Sequence, residues 1–200
     1  MTMFSALRIA PRLRTLIARF VRDSRGLAAV EFAFIAPLML ALTFGTIEIS
    51  SGFGIDRKVT LTARTLSDLV SQGTKVTAVD ISNFFKMGSA IMTPYPVNAT
   101  TMTQRISAVN IDAGKVARIA WSYNGTGTSS SVTVTSGYAA NLIISTIPAA
   151  LLVPNTQLIW SEVTYTYTPV AGYFIRAAIP LSAQFFTRPR QSDTVTYSAT

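Results

Sequence analysis

Between Leu27 and Ile47 the chain reads LAAVEFAFIAPLMLALTFGTI, 21 residues carrying a single charge, Glu31. Coiled as a helix, such a run is about 31 Å long, which matches the roughly 30 Å hydrocarbon thickness of a bilayer. Core helices of soluble proteins are seldom so uniformly apolar for so long, so the run predicts a transmembrane helix. Pro37 lies inside it and removes one backbone hydrogen bond, which predicts a modest kink. A cleaved secretory signal is the nearest competitor. It needs a shorter apolar region followed by a small-x-small cleavage site, and Glu48-Ile49-Ser50-Ser51-Gly52 offers none.

Charge placement orients the helix. Arg8, Arg12, Arg14, Arg19, Arg22 and Arg25 precede it against one acid, Asp23, so residues 1–26 hold +5 of the chain's +8. Only Arg57, Lys58 and Arg64 follow it closely. The heavier positive flank stays in the cytoplasm, which places the residues beyond about 50 outside. A basic block set against an apolar segment reads as membrane topology, so no nucleic-acid partner is expected.

Cysteine and histidine are absent, which removes disulfides, thiolate nucleophiles, Cys/His metal sites and any Ser–His arrangement. Nine acids scattered singly supply no cluster for a hard cation. Neither a cofactor nor a catalytic role is expected.

The junction before the apolar run carries the sharpest signal. Arg22-Asp23-Ser24-Arg25-Gly26 is hydrophilic, the apolar run begins at Leu27, and Glu31 and Phe32 are its fifth and sixth residues. A basic leader, Gly, four residues, Glu and an aromatic resembles the precursors of type IV pilins and pseudopilins. Further elements narrow the likeness: Val30-Glu31-Phe32-Ala33, Pro37, and Gly45-Thr46-Ile47-Glu48 near the exit. Together they resemble the TadE/TadG-like family of the tight-adherence (Tad, Flp-type) pilus system, most strongly over residues 24–72. A weaker echo lies in residues 161–169 and in Thr187-Arg188-Pro189-Arg190.

The resemblance implies a cut by a prepilin peptidase after Gly26, with Gly26–Leu27 as the scissile bond. It also implies that Glu31 pairs with the new N-terminal amine of a neighbouring subunit. Two physical arguments are compatible with this. Glycine lets a protease approach the backbone closely, and a carboxylate one turn inside an apolar run is costly without a partner.

Past the membrane, Ile55, Val59, Thr62, Ala63, Leu66, Leu69 and Val70 recur at three- and four-residue steps and predict an amphipathic continuation of the helix. Gly52 and Gly54 predict a bend, and Gly73 a stop. A second helix is predicted over about 77–92, capped by Thr77 with Asp80, with Ile81, Phe84, Phe85, Gly88, Ile91 and Met92 on its apolar face. Strands follow. Arg105–Ile111 and Lys115–Tyr123 flank the turn Asp112-Ala113-Gly114. Asn124–Ser131 reads as a polar loop, Val132–Thr135 as an edge strand, and residues 138–153 as an apolar loop or short helix. Leu158–Thr168 alternates, with Ile159, Ser161, Val163, Tyr165 and Tyr167 on one face, and Ile179–Thr187 closes the sheet. Tyr123, Tyr138, Tyr165, Tyr167 and Tyr173 could form a binding patch, although strand packing explains them more simply.

The expected fold class is α+β: a transmembrane helix extended into a long helix packed on a four- or five-stranded antiparallel sheet. The expected organisation is a cytoplasmic leader (1–26), a transmembrane helix (27–50), its extension (51–73) and an extracytoplasmic domain (74–200). The expected location is the inner membrane, crossed once. Expected partners are the membrane, a prepilin peptidase, and other Tad pilus assembly proteins and pilins. Two other roles stay open: an uncleaved TadG-like adaptor, and a membrane-tethered ligand-binding module or hydrolase. Full TadG-like proteins carry a longer outer region than the residues beyond 73 provide.

Overall fold

The computed structural model describes residue 19, residues 25–169 and residues 177–199. Most of the leader, and Tyr173, lie outside the described residues. The chain divides into two compact units at Ile47/Glu48. Helix α1 runs Arg25–Ser71 with Pro37 inside it. It continues through Gly52 and Gly54, where a bend was expected. At Gly54 a Cβ would come within 2.8 Å of the Tyr95 hydroxyl, so this glycine serves the close approach of a tyrosine.

In the first unit the helix carries its apolar side chains outward. Phe32, Phe34, Leu42 and Ile47 are all more than half exposed. The run is long and apolar enough to cross a membrane, and its most apolar window buries nothing within the fold. Thr43 and Thr46 donate their hydroxyls to the Met39 and Leu42 carbonyls, both at 2.8 Å. Both threonine hydroxyls are thereby satisfied inside their own helix, as a segment crossing a membrane would require.

In the second unit the expected stripe is the buried side of α1: Ile55, Val59, Thr62, Ala63, Leu66 and Val70 are fully enclosed. Each large apolar side chain buried there contributes about 1.5–3 kcal/mol. After β1 (Lys75–Thr77), helix α2 (Ala78–Ile91) begins with a complete capping box. The Asp80 amide donates to the Thr77 hydroxyl at 3.2 Å, and the Thr77 amide donates to the Asp80 carboxylate at 2.9 Å. Hydrogen bonds to the carboxylate from the Thr77 amide and then the Thr77 hydroxyl hold the Asp80 pKa below its usual range. At the other end the Lys58 ammonium donates to the Ile91 and Thr93 carbonyls, at 2.7 and 2.8 Å, and covers the open carbonyls of α2.

The main sheet comprises β2 (Met102–Ile111), β3 (Ala117–Gly127), β4 (Val132–Ser136), β5 (Ile143–Ile144), β6 (Thr156–Tyr167) and β7 (Ile179–Thr187). Its order is β4-β3-β2-β6-β7, every pairing is antiparallel, and β5 adds to the start of β3. The sheet therefore has six strands where four or five were expected. The predicted hairpin forms at Asp112–Val116, where the Lys115 amide donates to the Asp112 carbonyl and Lys115 takes a φ of 64°. A bulge between Ala108 and Val109 leaves Ala120 without a register partner.

The reading of Asn124–Ser131 as a loop is corrected. Asn124–Gly127 extend β3; all four pair with β4, and Asn124, Gly125 and Thr126 pair with β2 as well, leaving only residues 128–131 as the turn. Gly125 is needed there because Phe85 of α2 rests directly on its backbone. Local composition favoured a loop, while two flanking strands supply the pairing that overrides it.

One sheet face, with Ile106, Ala108, Ile159, Val163, Tyr165 and Tyr167, packs against α1 and α2. On the other face Val109, Ile111, Ile119, Leu158 and Trp160 build a second core under Ile147. The segment over it contains β5 and a short 3-10 turn, Ala149–Leu151. A separate parallel pair joins β1 to β8 (Thr196–Ser198), which no local pattern announces.

Candidate functional site

The sequence places its candidate residues around the junction and the exit of the apolar helix. Gly26 is helical, exposed and surrounded by open space; a Cβ there would meet nothing within 4 Å. Leu27 and Phe32 are exposed, at 62% and 71%. Glu31 is exposed too, and no ion pair engages it among the described residues. Leu27 and Glu31 are four residues apart, so they share one helix face, and a helical side chain leans toward the N-terminus. Pro37 faces outward in the same helix.

Glu48 begins the second unit and differs from Glu31. It is 4% exposed, and neither carboxylate oxygen has a hydrogen-bond partner among the described residues. Tyr167 stands beside it. Burial, followed by the Glu48 charge, raises the pKa of that phenol.

The fifth and sixth positions of an apolar helix, set behind an accessible glycine, are now located. Residues 26–66 match the TadE-like protein family. The TadE-like segment contains Gly26, Leu27, Glu31, Phe32, Pro37 and Glu48, and associates the chain with the Tad pilus machinery. It ends at Leu66, before the sheet begins. No curated protein and no solved structure gives a match.

Beyond the TadE-like segment, the sheet face turned away from α1 holds a polar cluster that sequence reasoning missed. The Arg105 guanidinium donates to the Asn124 side-chain oxygen at 2.6 Å and to the Glu162 carboxylate at 3.2 Å. It lies 4.2 Å over the Tyr138 ring, whose hydroxyl donates to Glu162 at 3.3 Å. Burial and the Glu162 charge raise the Tyr138 pKa. Tyr138 stacks on Trp160, and Trp160 on Phe186, with centroids 5.6 and 5.7 Å apart. Every charge in this cluster is paired, so it clamps the segment after β4 onto the sheet. The available signal was that Arg105 and Glu162 are the only charges in β2 and β6; their register, opposite one another, was not legible.

Among the described residues the tyrosines do not form one patch. Tyr165 and Tyr167 belong to the core under α1. Tyr123 meets Tyr197 in a tilted ring pair with centroids 4.5 Å apart, and burial together with the Tyr197 hydrogen bond pushes its phenol up to about 12. Arg190, part of the weaker tail echo, pairs with Asp68 of α1, and its amide donates to the Ser71 carbonyl at 2.8 Å.

Proposed function

We propose that the chain is a pseudopilin-like assembly component of the Tad pilus, held in the inner membrane by Leu27–Ile47 and presenting its sheet domain outside. One observation carries this reading: Gly26, Glu31 and Phe32 stand in prepilin register at the head of a bilayer-length helix within the TadE-like segment. The six leader arginines keep the N-terminus in the cytoplasm. A prepilin peptidase then cuts Gly26–Leu27. The freed amine of Leu27 and the Glu31 carboxylates of neighbouring copies supply opposite charges within a bundle of anchors, where an unpaired carboxylate is costly. The pair sets the register between copies.

Incubating the full-length precursor in membranes with a prepilin peptidase tests this. N-terminal sequencing should find Leu27 first, and Gly26→Ala should block the cut. An uncut chain, or a cut indifferent to Gly26→Ala, rejects the reading.

A second reading, an uncleaved TadG-like adaptor, is favoured by one feature. Gly26 and Leu27 lie within helix α1, so the Gly26–Leu27 bond lies in a helical turn rather than an extended strand. Cleavage then requires this helical turn to open. Residues 1–26 retained on the mature protein would select this second reading.

A further inference from the structure

Strand β7 closes the sheet on one side, and its outer edge has no strand partner among the described residues. Natural edges are commonly guarded by lysines, bulges or brevity. Here the nine-residue sequence IPLSAQFFT is uncharged and pairs with β6 without a register shift; only Pro180, near its start, interrupts the edge donors. Its side chains Leu181, Ala183 and Phe185 pack against the core and stay only partly exposed. The opposite outer strand, β4, is only five residues long.

Alongside β7 lies a groove of about 410 Å³, formed with α1 and lined by Leu61, Arg64, Asp68, Leu69, Phe185 and Arg190. Leu61 is 52% exposed. Asp68 is already neutralised by Arg190, whereas Arg64 rests over the Phe185 ring at 5.8 Å and has no carboxylate partner among the described residues. The groove therefore offers an apolar floor, one uncompensated cation and a row of backbone donors and acceptors.

We propose that β7 and this groove accept an extended segment of another protein, which adds a strand to the sheet. The segment alternates apolar side chains with polar ones and places a carboxylate at Arg64. Main-chain pairing supplies affinity in such additions, and the groove beside it supplies selectivity. A second copy of this chain does not fit through β7 itself. Two β7 edges related by a twofold axis pair antiparallel. Helix α1 runs in the same direction as β7, since Ser51 bonds Tyr167 beside Ile179 while Ser67 bonds Thr187. Such a pair would run the two α1 helices in opposite directions, whereas copies held in one membrane by Leu27–Ile47, as proposed above, all enter it in the same direction.

The test replaces Leu61 with the photo-crosslinker p-benzoylphenylalanine in the full chain, in its native membranes. An adduct to a different protein is expected, reduced about tenfold by Arg64→Glu and retained by Arg64→Lys. Neighbouring residues of an antiparallel strand direct their amides to opposite edges. Of Ser182→Pro and Ala183→Pro, one therefore removes an outward donor, keeps the fold by tryptophan fluorescence and loses the adduct. No adduct, an adduct to this chain itself, or an adduct indifferent to Arg64→Glu and to the folded proline variant would overturn the proposal. Cleavage at Gly26 does not enter any of these readouts.

Discussion

At the scale of single residues, two side chains report how tightly the sheet domain is assembled. Gly125 lies under the Phe85 ring, and an added methyl would overlap it. Gly125→Ala should therefore destabilise the domain by about 1–3 kcal/mol, the usual cost of overpacking. Chemical denaturation followed by tryptophan fluorescence measures this, because both tryptophans, Trp121 and Trp160, lie in the sheet. Tyr123 adds a pH signature. Its folded pKa of about 12 lies above the ordinary value of 10, so the folded state retains a proton that the unfolded state releases. The resulting stability is complete below pH 10 and is lost as the pH rises toward 12. Tyr123→Phe should flatten the fall in denaturation midpoint across that window. An unchanged slope would show that another group governs the alkaline transition.

At the scale of elements, α1 is the beam on which the domain is built. Leu66 is fully buried on its inner side, and Ser161 donates its hydroxyl to the Ala63 carbonyl at 2.5 Å, tying β6 to the helix. Leu66→Ala should cost about 2–5 kcal/mol, from lost burial and the cavity left behind. Loss of the cap at the start of α2 should be milder. Thr77→Ala removes the hydroxyl that accepts the Asp80 amide and should cost about 1 kcal/mol. Hydrogen exchange should localise that change to the first turn of α2, while β6 stays protected.

At the scale of the whole molecule, the decisive prediction is topological. The chain has no native cysteine, so single replacements report position cleanly. Ser130→Cys, in an exposed turn, should react with a membrane-impermeant maleimide applied to spheroplasts, whereas Thr2→Cys, followed on the uncut precursor in cells lacking the prepilin peptidase, should react only after lysis. Equal labelling of both from outside would remove the proposed passage through the bilayer and the assembly role with it.

Much of this protein follows from local patterns. The anchor, the buried stripe from Ile55 to Val70, the Thr77–Asp80 cap, the Asp112 turn and the alternating face of β6 all depend on interactions within a few residues. Periodicity and capping chemistry record such interactions directly. Only the tertiary structure decided that Asn124–Gly127 are strand, that Gly54 makes room for Tyr95, that Arg105 meets Glu162, and that β1 finds β8. These outcomes rest on pairings between segments far apart in the chain. A strand's neighbours, and hence the fate of its polar groups, are set by which edges remain open once the helix has claimed one face.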